Sequence, residues 1–360
     1  MQLETALRWS WMNVLNAKRR HALIERFGSL EEALRAVSEP MLRELGCKEE
    51  TAMIAMNRLE EFNLGTYAGI LRKLDAVFLT LDDELYPAQL RTLPDPPVFL
   101  YARGDLGILD RPCIALVGSR DMNAEGERIV ESLVPPLVAA GCTTVSGLAF
   151  GVDAAVAEET LRAGGKTVAV LGNGLATIHP KANEKLAEKI IAGGGLVLSE
   201  YPLDARPDKF TFPARNRIIA GLSLSTVVVQ AAEGSGSLIT AELALEYGRD
   251  VCAVPGSVFD PLHAGCHRII SSGQAKLVAG AEDILSEVGI VASGTAPSEK
   301  DFHTDDPAEA AVVAALTSLP VPIDDLVVKA KLDAAKLTAT LTVLELKGVA
   351  RKIDGKWIRA

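Results

Sequence analysis

Four clusters of glycine with small polar residues punctuate the middle of the chain. They are Gly118-Ser119-Arg120, Ser146-Gly147-Leu148-Ala149-Phe150-Gly151, Gly172-Asn173-Gly174 and Gly234-Ser235-Gly236-Ser237. Glycine lets a backbone turn sharply and approach a ligand closely, so successive N–H groups at a helix N-terminus form a nest for an anion. A strand-to-helix turn needs glycine for its own sake, so one cluster alone is ordinary; four in series favour phosphate. Cations follow the same turns: Arg120, Lys181 in HPKAN, and Arg215 and Arg217 flanking Asn216 in FPARNR. Positive side chains at a helix start oppose its dipole unless an anion offsets them. Phe150, Phe210 and Phe212 lie near these turns, and Phe150 and Phe212 are the candidates for stacking on bases, although core packing is the commoner fate of phenylalanine.

Other chemistries are less well supplied. There is no GxxxxGK[ST] loop for a nucleotide triphosphate, and GNGLAT at 172–177 holds only two of the three dinucleotide glycines, with Glu200 in the place of a ribose-binding acid. His263, Cys266 and His267 have helical spacing but no fourth ligand nearby, so packing without metal is expected. A nucleotide hydrolase of the phosphoribohydrolase type is a competing reading, with Arg215 on a phosphate and Glu233 or Glu242 on the glycosidic bond. Binding is preferred over it, with no catalytic residue, no metal and no cofactor.

The elements that must position these turns are legible as patterns. Ile114 to about Val288 alternates apolar strand and amphipathic helix, which implies an α/β fold with a doubly wound, mostly parallel sheet. The sheet gathers its strand ends at one crevice. Residues 1–74 read as a helical module of the SAM-like or helix-hairpin-helix-like kind, with Gly28-Ser29 ending one helix and capping the next. An arm with Pro94, Pro96 and Pro97 leads into the sheet domain, 75–290. Residues 291–308 have linker composition, and 309–360 read as three helices and a hairpin around Asp354-Gly355, the order of a winged helix. The third of these helices offers Lys336 among Thr338, Thr340, Thr342 and Glu345, a poor complement to DNA. A duplex-binding regulator built on that module is therefore the least favoured alternative.

Composition bounds the rest. The chain has 360 residues, 48% of them hydrophobic, and a net charge of −10, so any nucleic-acid contact must be a local pocket rather than a basic coat. Five dispersed cysteines without a CxxC pair suggest reduced thiols. The first twenty residues lack the charge order of a signal peptide, and no apolar run approaches the ~18 residues of a membrane span.

The order VGSR, SGLAFGVD, TVAVLGNG, HPKAN, LSEYP, FPARNRIIAGLS, SGSLIT, AELALEYGRDVCAVPG and AGCHRIISSG resembles that of the DNA processing protein A (DprA/Smf) family. The resemblance covers Val77 to Val288 most strongly, and the flanking modules more loosely. It implies a Rossmann-like pocket for single-stranded DNA in a cytoplasmic homodimer that helps load the RecA recombinase during natural transformation or recombination, with no membrane partner. Its DNA contacts would fall on Gly118, Ser119, Arg120, Lys181 and Arg215 to Arg217. Departures from the pattern are Val156-Ala157 for Ala-His, Ile178-His179-Pro180 for a Tyr-Pro, Gln230 for an acidic residue and His267 for asparagine. Loss of titratable groups with retention of Arg120 and Lys181 fits binding better than acid–base catalysis.

Overall fold

The computed structural model describes residues 1–290, 304, 306–317, 321–353 and 355–359. It divides into two compact units, Met1–Ser293 and Gly294–Ala360. Most of the linker expected at 291–308 lies outside the described residues; Pro307 already begins a helix, Pro307–Ala315.

The larger unit is built on one nine-stranded sheet. Its strands in chain order are β1 (Ala76–Thr80), β2 (Phe99–Gly104), β3 (Cys113–Gly118), β4 (Thr143–Ser146), β5 (Lys166–Val170), β6 (Leu196–Ser199), β7 (Ser225–Gln230), β8 (Asp250–Ala253) and β9 (Lys276–Leu277). Their spatial order is β1-β2-β6-β5-β4-β3-β7-β8-β9, parallel from β6 to β9 and antiparallel at β1–β2 and β2–β6. The proline arm thus contributes two antiparallel strands to one edge. Gly104 closes β2 at φ +106°, and a Cβ there would sit 2.1 Å from the Gly195 carbonyl oxygen, so only glycine lets these strands meet.

Alternation along β3 explains why the sheet is buried on both faces. Ile114 and Leu116 pack with Leu133 and Leu137 on one side, while Cys113, Ala115 and Val117 belong to the core on the other with Ile218 and Leu238. Leu133 and Leu137 come from the Ala124–Ala139 helix, whose start is fixed by Asn123 accepting from the Glu125 and Gly126 amides. From β3 the chain runs outward through β4, β5 and β6, then returns to place β7 on the other side of β3. That reversal is a topological switch point, which leaves a crevice beyond the carboxyl ends of β3 and β7.

The six N-terminal helices are part of the same unit. Asn16, Ser29, Ser38 and Asn63 cap four of them through their side-chain oxygens. Their core of Ala6, Trp9, Leu23, Leu30 and Met41 continues into Val98 and Phe99 of the arm. One polar contact pins them to the sheet: the fully buried Tyr101 hydroxyl on β2 lies 2.6 Å from Ser10 Oγ and 2.8 Å from the Tyr67 hydroxyl.

The smaller unit packs the helices Pro307–Ala315, Ile323–Ala330 and Ala334–Leu346 against a hairpin of β10 (Ala350–Ile353) and β11 (Lys356–Arg359). Val312, Leu326, Leu337, Leu341 and Trp357 form its core. On the third helix the hydroxyls of Thr338, Thr340 and Thr342 donate back to the carbonyls four residues earlier, so the helix's own backbone engages them. Among the described residues no helix is long and apolar enough to cross a membrane.

Tyr101→Phe leaves the Ser10 and Tyr67 hydroxyls without their shared partner inside the protein. It is expected to lower stability by about 1–3 kcal/mol, measured by urea denaturation followed through tryptophan fluorescence, because Trp9 and Trp11 report on these helices.

Candidate functional site

A hollow of about 580 Å³ opens at the switch point. The β3 end supplies Gly118, Ser119 and Arg120, and the turn after β7 supplies Gly234 to Ser237. The Thr211–Leu222 helix closes the side with Phe212, Arg215 and Asn216. This helix begins a turn before the Arg215 start that the sequence suggests, which puts Phe212 on it.

Close approach of the turns depends on glycine. A Cβ on Gly118 would lie 2.5 Å from the Val152 side chain, and one on Gly151, at φ +70°, would lie 2.2 Å from the Ser119 carbonyl oxygen. Leu148 holds φ +57° without being glycine, and it is fully buried in a turn whose neighbours fix its backbone.

The Ser146–Gly151 turn corrects the expectation of an open anion nest. Asp153 Oδ2 already accepts from the Gly147 amide at 3.0 Å and the Ala149 amide at 3.3 Å, while Ser146 Oγ donates to the Asp153 carbonyl at 3.2 Å. The chain's own carboxylate occupies the place foreseen for a phosphate. Ser146 and Gly147 are buried, and neither they nor Gly151 and Phe150 line the hollow; Ala149 and Asp153 do.

Arg215 is a second correction. Its guanidinium is buried against Gly147 and donates to the carbonyls of Gly147 (2.8 Å) and Val170. A Cβ on Gly147 would be 2.3 Å from it, so that glycine makes room for an arginine. Burial pushes Arg215 down to about 10, with the Asp153 charge pulling the other way. Burial likewise raises the Asp153 carboxyl, against the pull of Arg215 and the two amides. Arg215 therefore braces the floor of the hollow.

Arg217 does not reach the hollow. Two residues along a helix are about 200° around its axis, so Arg215 and Arg217 face opposite ways. Arg217 pairs with Glu200 at 2.6 Å and with Asp95 at 3.2 Å, and Tyr247 donates to the same Asp95 at 2.7 Å. Burial works against the Arg217 charge, but Glu200 outweighs it and the guanidinium is held above its ordinary value. Lys181 is also outside the hollow: it is exposed at the start of a 3₁₀ turn that Asn183 ties to the Leu148 and Ala149 carbonyls.

What remains at the hollow is compact. Arg120 is exposed, has no ion-pair partner among the described residues, and places its guanidinium 5.5 Å from the centroid of the Phe212 ring. The exposed His179 ring lies 5.6 Å from the same phenylalanine. Lys209, which sequence reasoning missed, also lines the hollow. Its signal was a lysine just ahead of the FPARNR helix, at the same strand-end level as Arg120. Asn216 Nδ2 donates to the Gly236 carbonyl at 3.3 Å and ties the two walls together. Ser235 caps the Gly236–Glu246 helix and its hydroxyl lies 2.8 Å from that of Ser237, so this turn keeps a helix N-terminus facing the hollow. The Ser119 amide is taken by the Gln230 carbonyl at 2.7 Å. Asp121 and Glu233 also line the hollow, whereas Glu242 does not and sits 4.0 Å from Arg268.

A sequence model described as DNA recombination-mediator protein A matches residues 77–289, more than half of the chain. The chain belongs to the DNA processing protein A family. A second model, the winged-helix domain of that family, matches residues 296–356. Protein Smf of Escherichia coli is 39% identical over 77% of this chain and 76% of its own length, and the DNA processing protein of Bacillus subtilis is 38% identical over 70% and 86%. The structure of the family member from Streptococcus pneumoniae aligns with a TM-score of 0.66 at 37% identity, covering 80% of this chain and 99% of that one. The Helicobacter pylori family member, whose structure is described for its mode of binding single-stranded DNA, aligns with a TM-score of 0.53 at 32% identity, over 59% and 95%. As a member of this family the protein has a DNA-processing, recombination-mediator role.

Asp153→Ala removes the acceptor of the Gly147 and Ala149 amides and the carboxylate whose charge acts on Arg215, and is expected to cost about 2–4 kcal/mol. Asp153→Asn keeps one acceptor oxygen and should cost measurably less. Chemical denaturation of both variants separates the hydrogen-bond loss from the charge loss.

Proposed function

We propose that the hollow grips a short run of single-stranded DNA by its backbone and that the protein delivers RecA onto that strand during natural transformation or recombination. The observation that carries this reading is Arg120: an exposed cation without an ion-pair partner among the described residues, held over an aromatic ring at the switch point of the sheet. Arg120 and Lys209 would meet phosphates, the Gly236–Glu246 helix start would cap one of them, and Phe212 would take a base face. Asp121 and Glu233 on the same rim limit the basic footprint to a few nucleotides. Such a balance suits a transient mediator, which must surrender the strand. The Helicobacter pylori relative, described as binding single-stranded DNA, supports the choice of ligand. In this reading the protein is a cytoplasmic homodimer, with two hollows engaging one longer strand.

Fluorescence anisotropy with oligo-dT at several salt concentrations tests the proposal. Arg120→Ala combined with Lys209→Ala should weaken binding about tenfold or more, and flatten the slope of log K against log salt by about 0.7 for each lost phosphate contact. Arg217→Ala, outside the hollow, should leave that slope unchanged. Unaltered binding by the Arg120/Lys209 double variant would refute the site. RecA-dependent strand exchange on the same DNA, with and without the protein, tests delivery separately.

A further inference from the structure

The nine-stranded sheet is open at both ends, and β1 is its last strand on the antiparallel side, with β2 as its only strand neighbour. Beyond the paired residues the Leu81 amide donates to the Val98 carbonyl at 3.0 Å. Because bonding alternates along an antiparallel strand, Val77 and Leu79 turn their backbone groups to β2 as Leu81 does, and Ala76, Phe78 and Thr80 turn theirs outward. Thr80 is closed off, since Asp83 Oδ2 accepts from its amide at 2.6 Å and from its hydroxyl at 3.0 Å. Ala76 and Phe78 find no such partner among the described residues. Native sheets usually guard an open edge with lysine, proline or a bulge, and Ala76–Thr80 (AVFLT) has none of these.

A groove of about 480 Å³ lies along this edge. Leu3 and Ala6 from the first helix and Glu84 and Leu85 from the turn after β1 line it together with Val77 and Phe78. Leu3, Val77 and Leu85 are 62%, 44% and 68% exposed, so three large apolar side chains stand wet beside an open strand edge. Single exposed apolar residues are ordinary; a group of them along such an edge marks an interaction surface. The charge of the groove has one sign: Asp83 and Glu84 line it, and no lysine or arginine does. Asp82 beside them is paired with Arg20 at 2.7 Å, whereas Glu84 is exposed and without an ion-pair partner among the described residues.

We propose that this groove receives an extended, basic segment of a partner protein, which joins the sheet as an added strand. Its backbone would bond to Ala76 and Phe78, alternate apolar side chains would cover Val77 and Leu85, and a lysine or arginine would meet Glu84. The Asp83 cap on Thr80 ends the available edge, so about four or five partner residues, at about 3.4 Å each, would pair. A second copy paired antiparallel through its own β1 would set the Asp83 turn of one chain against Asp75 of the other, acid against acid, which disfavours self-pairing. Five strand spacings of about 4.8 Å separate β1 from β3, so the groove lies roughly 24 Å across the sheet from the strand that opens the hollow. A docked partner therefore leaves the hollow open.

The test pans a phage library of random decapeptides on the full chain and on its Val77→Ser/Leu85→Ser variant, whose altered side chains are exposed, so that it should melt close to wild type. Wild type should enrich peptides that alternate apolar residues with lysine or arginine, and the double variant should not. A fluorescein-labelled peptide of the enriched sequence should bind the full chain with a Kd below about 100 µM by anisotropy, and the double variant at least tenfold more weakly. Methylating the peptide's backbone nitrogens at alternate positions should abolish binding in one of the two phases, the one whose amides meet β1. Glu84→Lys should turn the preference toward acidic peptides. Lack of enrichment over the double variant overturns the proposal, and so does binding that survives methylation in both phases. Sedimentation showing a dimer that the double variant loses would overturn it as well, by giving the edge to a second copy. No readout uses DNA, so the outcome is independent of the single-strand reading.

Discussion

The structure depends on the reversal of strand order at β3. Because β4 and β7 lie on opposite sides of it, the connections leaving β3 and β7 diverge, and nothing of the fold itself fills the space beyond their ends. The turns can close around that space only because their backbones touch: the Ser119 amide on the Gln230 carbonyl, and Gly151 against the Ser119 carbonyl. Burying the central strands on both faces makes this frame rigid, so the few polar groups on its rim are held without help from a ligand.

Much of the polar chemistry around the crevice serves the protein itself. Asp153 accepts the amides that a nest would offer to phosphate, and Arg215 is spent on two carbonyls beneath them. Arg217 neutralises Glu200 and Asp95 on the opposite side of its helix. Such internal pairing costs desolvation and is worth little as net stability, but it fixes geometry, since removing either partner strands a buried charge. A turn already satisfied from within cannot be pulled out of place by a passing anion.

What remains for a ligand is correspondingly small: Arg120 and Lys209, a helix N-terminus, and the Phe212 ring near Arg120 and His179. In the proposed grip, stacking would tolerate any base, and two cations opposed by Asp121 and Glu233 would give weak, salt-sensitive attraction rather than a permanent hold. The chain's overall charge of −10 disfavours extended contact with a polyanion in the same direction.

Local pattern was enough for the architecture. Apolar runs ending in glycine announced the parallel strands, the break at Gly28-Ser29 marked a helix boundary, and the short strands either side of Gly355 announced the hairpin, Asp354 itself lying outside the described residues, because these signals arise from neighbours along the chain. The family was legible too, in the order of its motifs. Which cations face the crevice was not: the sequence reading gave Arg215 and Arg217 alike to the ligand, although residues two apart on a helix cannot share a face, and only Arg215 borders the hollow. Occupation of the Ser146–Gly151 turn by Asp153, diversion of Arg217 to Asp95 and Glu200, and the place of Lys209 were settled only in three dimensions. These depend on which groups from distant segments compete for the same partner, and a carboxylate brought near by the fold outbids any ligand that residue type alone would suggest.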